Sequence, residues 1–117
     1  MMLVKAILTA VVATVALSLS APASAKVARC VIRTADASYK GPCSYSAGKG
    51  GTFTLKPMRG RFLISGIMMI TVYVDPDGEG QVSGLTGAGA NSRWGDAKRS
   101  RRDGACWVGA DFSVCAY

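Results

Sequence analysis

Apolar residues fall into three kinds of run along the chain. The first, Ala6 to Leu19, carries no charge, follows Lys5, and leads into Pro22 and the small residues Ala23-Ser24-Ala25. A positive start, an apolar run and small residues at the two positions a signal peptidase reads predict a secretory leader over residues 1–25. The run is too short and wrongly flanked for a stable membrane span. The second kind is short and β-rich. Cys30-Val31-Ile32-Arg33-Thr34 gives way to a polar turn at Ala35-Asp36-Ala37-Ser38; Tyr39 restarts the pattern, and Gly41-Pro42-Cys43 is expected to end it. After a glycine-rich loop, Thr52-Phe53-Thr54-Leu55 alternates, which predicts a half-buried strand with Phe53 and Leu55 inward. Lys56 to Arg61 reads as a turn.

The third kind of run is Phe62 to Val74, broken by Ser65-Gly66. As a strand it puts Ile67, Met69, Thr71 and Tyr73 on one face and Met68, Ile70, Val72 and Val74 on the other. Both faces are mostly apolar, so a central strand covered on both sides is expected. Its β-branched residues and aromatic favour strand over buried helix. Asp75 to Gly80 then turns the chain, and Gln81 to Leu85 returns it as an antiparallel partner. Gly87 to Ser92 reads as a loop, and Arg93 to Gly104, dense in positive charge and without period, as another.

The last dozen residues organise the rest. If Ala110-Asp111 form a tight turn, Gly109 faces Phe112, Val108 faces Ser113, Trp107 faces Val114, and Cys106 falls opposite Cys115. Directly opposed residues at the narrow positions of an antiparallel pair can carry a disulfide. Folding the chain about Asp36-Ala37 likewise sets Cys30 opposite Cys43. An even number of cysteines in a small exported domain favours disulfides over metal or catalytic thiols. Cys30–Cys43 with Cys106–Cys115 is the favoured pairing, and first-to-last crossing is its rival. The two bridges would add about 2–3 kcal/mol each. Residues 26–117 are therefore expected to form one all-β domain. It would be a small, mostly antiparallel sheet of six to eight short strands, either a sandwich or a partly open barrel.

Charge adds the strongest surface feature. Lys98, Arg99, Arg101 and Arg102 lie close together with Arg93 and Trp94 upstream, and the whole chain has a formal net charge of +7. Such a cluster can hold phosphate, sulfate or carboxylate through paired Arg hydrogen bonds, with Trp94 stacking on a ring. Candidate partners of an exported protein are anionic polysaccharide, lipopolysaccharide, extracellular nucleic acid or an envelope protein. The plain alternative is a solvated loop. Catalytic material is thin. The chain has no histidine, hence no ordinary Ser-His or Cys-His pair and no neutral-pH base, and the spacing of Asp96 and Asp103 does not suggest a glycosidase pair. Asp75, Asp77 and Glu79 alternate as in a calcium loop, but Thr86 occupies the closing glutamate's place. Without histidine or a Cys-x-x-Cys pair, zinc is not expected. The reading is a non-enzyme without cofactor or metal.

Gly41-Pro42-Cys43, Gly50-Gly51-Thr52-Phe53, Trp94-Gly95, Asp103-Gly104-Ala105-Cys106-Trp107 and Cys115-Ala116-Tyr117 are landmarks of this sequence. In them the chain resembles a set of small exported bacterial four-cysteine proteins with no settled function. The resemblance implies a disulfide-bonded domain in the periplasm or outside the cell, and no active site. Small exported β-barrels that inhibit lysozymes have similar size and cysteine usage, which makes a hydrolase inhibitor the alternative to an anion-binding module. Their Ser-Gly-x-x-Tyr loops are absent here, and a basic protein would repel a basic lysozyme.

Overall fold

Alternation of inward apolar and outward positions builds eight strands. In the computed structural model, which describes residues 25–117, these are β1 (Lys26–Arg33), β2 (Ser38–Ala47), β3 (Phe53–Pro57), β4 (Ile67–Val74), β5 (Gly80–Thr86), β6 (Asn91–Arg99), β7 (Cys106–Val108) and β8 (Ser113–Ala116). The leader expected over residues 1–25 lies, but for Ala25, outside the described residues. Each strand pairs antiparallel with the next, and β8 returns to β1. The sheet is thus a closed barrel, not a sandwich, and closure removes the exposed edges that an open sheet would present.

Eight strands leave an interior just wide enough for side chains to fill. Ile32, Leu55, Ile70, Val72, Val82 and Val114 fill it, each almost wholly buried, together with Cys30 and Cys43. Phe53 and Leu55 point inward as expected. The seam is short where β6 meets β7, with Lys98 opposite Val108 and Arg99 opposite Trp107.

The terminal hairpin has the expected register. Cys106 stands opposite Cys115, Trp107 opposite Val114 and Val108 opposite Ser113, and the Gly109 N–H donates to the Phe112 carbonyl at 2.9 Å. Cys106 accepts from Ser100 and donates to Asp103, so its backbone groups face away from β8. Its pairing with Cys115 is the narrow kind, with Cα atoms 4.0 Å apart and joined by a disulfide. The Cys30–Cys43 disulfide also forms, but the expected direct opposition is corrected. The Thr34 N–H donates to the Ala37 carbonyl and Arg33 faces Ser38, so the turn centres on Ala35-Asp36. Cys30 therefore stands opposite Gly41, and the bridge runs diagonally to Cys43 with Cα atoms 5.8 Å apart. A two-residue slip keeps both sulfurs on the inner face.

Four further expectations change. β2 does not end at Gly41-Pro42-Cys43 but runs through it. Arg29 spends its backbone N–H and C=O on Tyr117, so the Arg29–Pro42 pair makes no ladder bonds. The missing N–H of Pro42 is thereby directed toward β3, which has already ended at Pro57 opposite Cys43. A proline is tolerated where no partner waits. The run from Phe62 to Val74 is not a strand covered on both sides. Leu63 and Ile64 are buried ahead of a turn with Ser65 and Gly66 at positive φ, and β4 follows with Ile70 and Val72 inward. A bulge between Ile67 and Met69 turns Met68 outward, and Met68 and Tyr73 are exposed. A closed barrel has one buried face. The loop expected over Gly87 to Ser92 is only a turn closed by Thr86 and Ala90, since β6 starts at Asn91. Finally, the basic segment is not one loop, because its first part is β6. A bulge at Gly95, whose φ is 120°, breaks the alternation that would have shown the strand.

Candidate anion-binding face

The barrel interior is occupied by its own side chains, so a ligand is met on the outer wall or at the barrel ends. Register sorts the outward residues. Ala28, Cys30 and Ile32 are buried inside, which leaves Val27, Arg29, Val31 and Arg33 of β1 outward. Pairing with β2 sets Lys40 opposite Val31 and Pro42 opposite Arg29. Pairing with β8 sets Cys115 opposite Val31 and Ser113 opposite Arg33. Cys106 and Val108 of β7 continue the face, and Lys98 of β6 stands opposite Val108. One wall, from β6 through β7, β8 and β1 to β2, therefore carries four exposed cations, Arg29, Arg33, Lys40 and Lys98. They are interleaved with the Cys106–Cys115 bridge, Val31 and Val108. On the wall of β4 and β5 the outward residues are Met69, Thr71, Tyr73, Gln81, Ser83 and Leu85, none of them charged.

Two shallow depressions mark the wall. One, of about 290 Å³, is lined by Val31, Arg33, Asp103, the Cys106–Cys115 bridge and Tyr117. The other, of about 510 Å³, lies against Val27, Arg29, Pro42 and Tyr117. Tyr117 stands between them, 56% exposed. Its backbone exchanges hydrogen bonds with Arg29, at 2.9 and 3.0 Å. Its hydroxyl donates to the Asp103 carboxylate and lies 3.5 Å from Cys106 Sγ. Losing that proton would break the bond to Asp103, so the bond raises the Tyr117 pKa above 10.0. Desolvation and the Asp103 charge add to the rise, while Arg29 and Arg33 pull it back. The Asp103 carboxylate is thus already engaged, whereas Asp96, outward like Gln81 opposite it, is an exposed acid beside Lys98 at the β6 edge of the wall.

The five basic residues picked out in the sequence do not converge. Lys98 joins the wall. Arg101 and Arg102 are exposed in the turn after β6, at the wall's rim beside Ser100 and Asp103. Ser100 Oγ holds that turn by accepting the N–H groups of Arg102 and Asp103, each at 3.2 Å. Arg99 points to the other side of the strand, where its guanidinium lies over the Trp107 ring, 5.3 Å from the centroid. Arg93 lies toward the other end of β6, beside Tyr73, Gln81 and Ser83 on one side and Thr34 and Asp111 on the other. Along β6 it is about 16 Å from Lys98 at roughly 3.3 Å per residue.

Sequence reasoning missed Arg29, Arg33 and Lys40. The signal was present in Val27-Ala28-Arg29-Cys30-Val31-Ile32-Arg33, where the positions between core residues are valines and arginines. An ordinary solvent face would carry neutral polar residues as well. Among the aromatic residues, Phe53, Trp107 and Phe112 are buried, whereas Tyr117 belongs to the wall. The acidic turn behaves as a hairpin: Asp77 Oδ1 accepts the Glu79 N–H at 3.0 Å, and Asp75 bonds to Gly78 and Glu79 through its backbone.

No protein-family model matches the chain, and no curated protein or solved structure is detectably similar to it.

Proposed function

We propose that this protein is an exported, non-catalytic binding module that holds anionic envelope or extracellular polymers on the β6–β2 wall. The observation that carries the reading is the placement of Arg29, Arg33, Lys40 and Lys98 at outward positions of one wall, where Tyr117 engages Asp103 and Asp96 is the one outward acid of its strands. Arg101 and Arg102 extend the field at the rim. Arg29 and Arg33 attach about 13 Å apart along β1, so the charge is spread over a surface and suits repeated anions better than one small ion. Guanidinium groups pair with phosphate, sulfate or carboxylate in bidentate fashion. Two disulfides suit an oxidising compartment, periplasmic or secreted.

Retention on heparin and on immobilised lipopolysaccharide across a salt series tests the proposal. Replacing Arg29, Arg33, Lys40 and Lys98 by alanine should shift elution to much lower salt, because exposed charges act through screened Coulomb attraction. Identical elution of wild type and the fourfold variant would refute it.

A further inference from the structure

The cations of the wall are interleaved with apolar surface that a hydrophilic polymer has no use for. Val27 is 68% exposed, Val108 45% and Tyr117 56%. Register makes them one surface: Val108 lies beside the Cys106–Cys115 bridge, the bridge beside Val31, and Tyr117 beside Arg29, with Pro42 and Val27 beyond. Water-exposed valine on a strand that also supplies core residues is a cost that the fold does not require, since β5 places Gln81 and Ser83 at outward positions. The tyrosine presents an aromatic body with a polar tip, a residue type suited to the boundary between water and hydrocarbon.

We infer that the β6–β2 wall docks on the surface of a membrane containing anionic phospholipid, with Val27, Val108 and Tyr117 entering the headgroup region, Arg29 and Arg33 of the central strand pairing with lipid phosphates, and Lys40 and Lys98 flanking them where the barrel curves away. This rests on the anion-binding reading above and names its ligand as an amphiphile. Charge complementarity identifies the occupant. Cations interleaved with exposed apolar side chains match a sheet of phosphates with hydrocarbon immediately beneath, whereas a soluble polyanion would answer the cations and leave the apolar surface wet. Each cation near an anionic bilayer contributes about fivefold to binding, and the attraction fades within a Debye length. The apolar contacts do not fade with salt.

Co-sedimentation with vesicles of phosphatidylcholine alone and of phosphatidylcholine with phosphatidylglycerol tests this, run in parallel with heparin retention. Wild type should bind the mixed vesicles and not the neutral ones, and should keep part of its binding at a salt concentration that elutes it from heparin. Arg29→Ala with Arg33→Ala should weaken vesicle binding about thirtyfold. Val27→Asn with Val108→Asn should weaken it about tenfold and leave heparin elution unmoved. Both valines are exposed, so this variant should keep the wild-type melting temperature, which is checked alongside. Heparin retention without vesicle binding would overturn the membrane inference and leave the anion-binding reading standing. Vesicle binding unaffected by the valine pair would also overturn it, because the apolar residues would then not be the docking surface. Failure on both matrices would remove both readings.

Discussion

Gly80 lies beneath the indole of Trp107: a Cβ at that position would stand 2.7 Å from both Cε3 and Cζ3. Trp107 is 3% exposed and lies in the barrel core at the short β6–β7 seam, so it has little freedom to retreat. Gly80→Ala should cost about 1–3 kcal/mol through overpacking, lowering the melting temperature by several degrees per kcal/mol. Gly104→Ala, where a Cβ meets nothing within 4 Å, should stay within about 0.5 kcal/mol of wild type. Thermal denaturation of the two variants checks the contrast.

The two disulfides should not respond alike to reductant. Cys30 and Cys43 are fully buried in the core, whereas Cys106 and Cys115 lie on the outer wall and are 8% and 7% exposed. Under mild reduction of the folded protein, Cys106 and Cys115 should be alkylated first, as timed trapping and mass mapping would show. Removing either bridge by a pair of alanines should cost about 2–3 kcal/mol. The core pair should cost more, since its loss also empties buried volume.

Ionisation of Tyr117 gives the fold a pH dependence. Its folded-state pKa lies above the ordinary value of 10.0, chiefly because its hydroxyl donates to Asp103. A group raised on folding stabilises below its unfolded pKa and loses that contribution as pH rises through the folded one. Wild type should therefore be more stable than Tyr117→Phe at pH 8, and the difference should shrink above pH 10. Urea denaturation of both proteins across that range provides the measurement.

Among the arginines, position separates a structural role from a binding one. Arg99→Ala removes the cation from the Trp107 ring and should cost about 0.5–1 kcal/mol of stability with little effect on heparin elution. Arg93→Ala should change elution little, because Arg93 lies toward the opposite end of β6 from Lys98 and shares its depression with Asp111. Arg33→Ala should move elution while leaving the melting temperature near wild type.

How much of this was legible in the sequence depends on how tightly each turn constrained its strands. The connection between Val108 and Ser113 is short, and a tight turn at Ala110-Asp111, favoured over a longer loop from Gly109, set Cys106 opposite Cys115 as found. The turn after Thr34 was ambiguous by one residue, enough to move Cys30 from opposite Cys43 to opposite Gly41 without changing which face either occupied. Pro42 looked like a terminator because the partner it fails to bond could not be known to end at Pro57. That Lys98 and Arg99 lie on a strand was hidden by the bulge at Gly95, which shifts the alternating pattern midway along β6. The basic residues seemed to form one cluster because they are close in the chain. Arg29 and Arg33 went unremarked because only closure of β8 onto β1 brings them beside Lys98.

The uneven joints on either side of the last hairpin have a mechanical consequence. β7 and β8 are tied to each other by Cys106–Cys115 and to β1 through four residue pairs, but β7 holds β6 through two. When the barrel breathes, the hairpin should swing away from β6 with β1 as its hinge, and amides along that line should exchange with deuterium earlier than those between β1 and β8. Lys98 sits on one bank of this opening and Arg33 on the hinge strand, with Val108 and Ser113 between them in register, so a polyanion long enough to engage both straps the hairpin in place. Occupancy of the wall should thus be readable as slower exchange at Lys98 and Val108, far inside the signal that the surface itself provides.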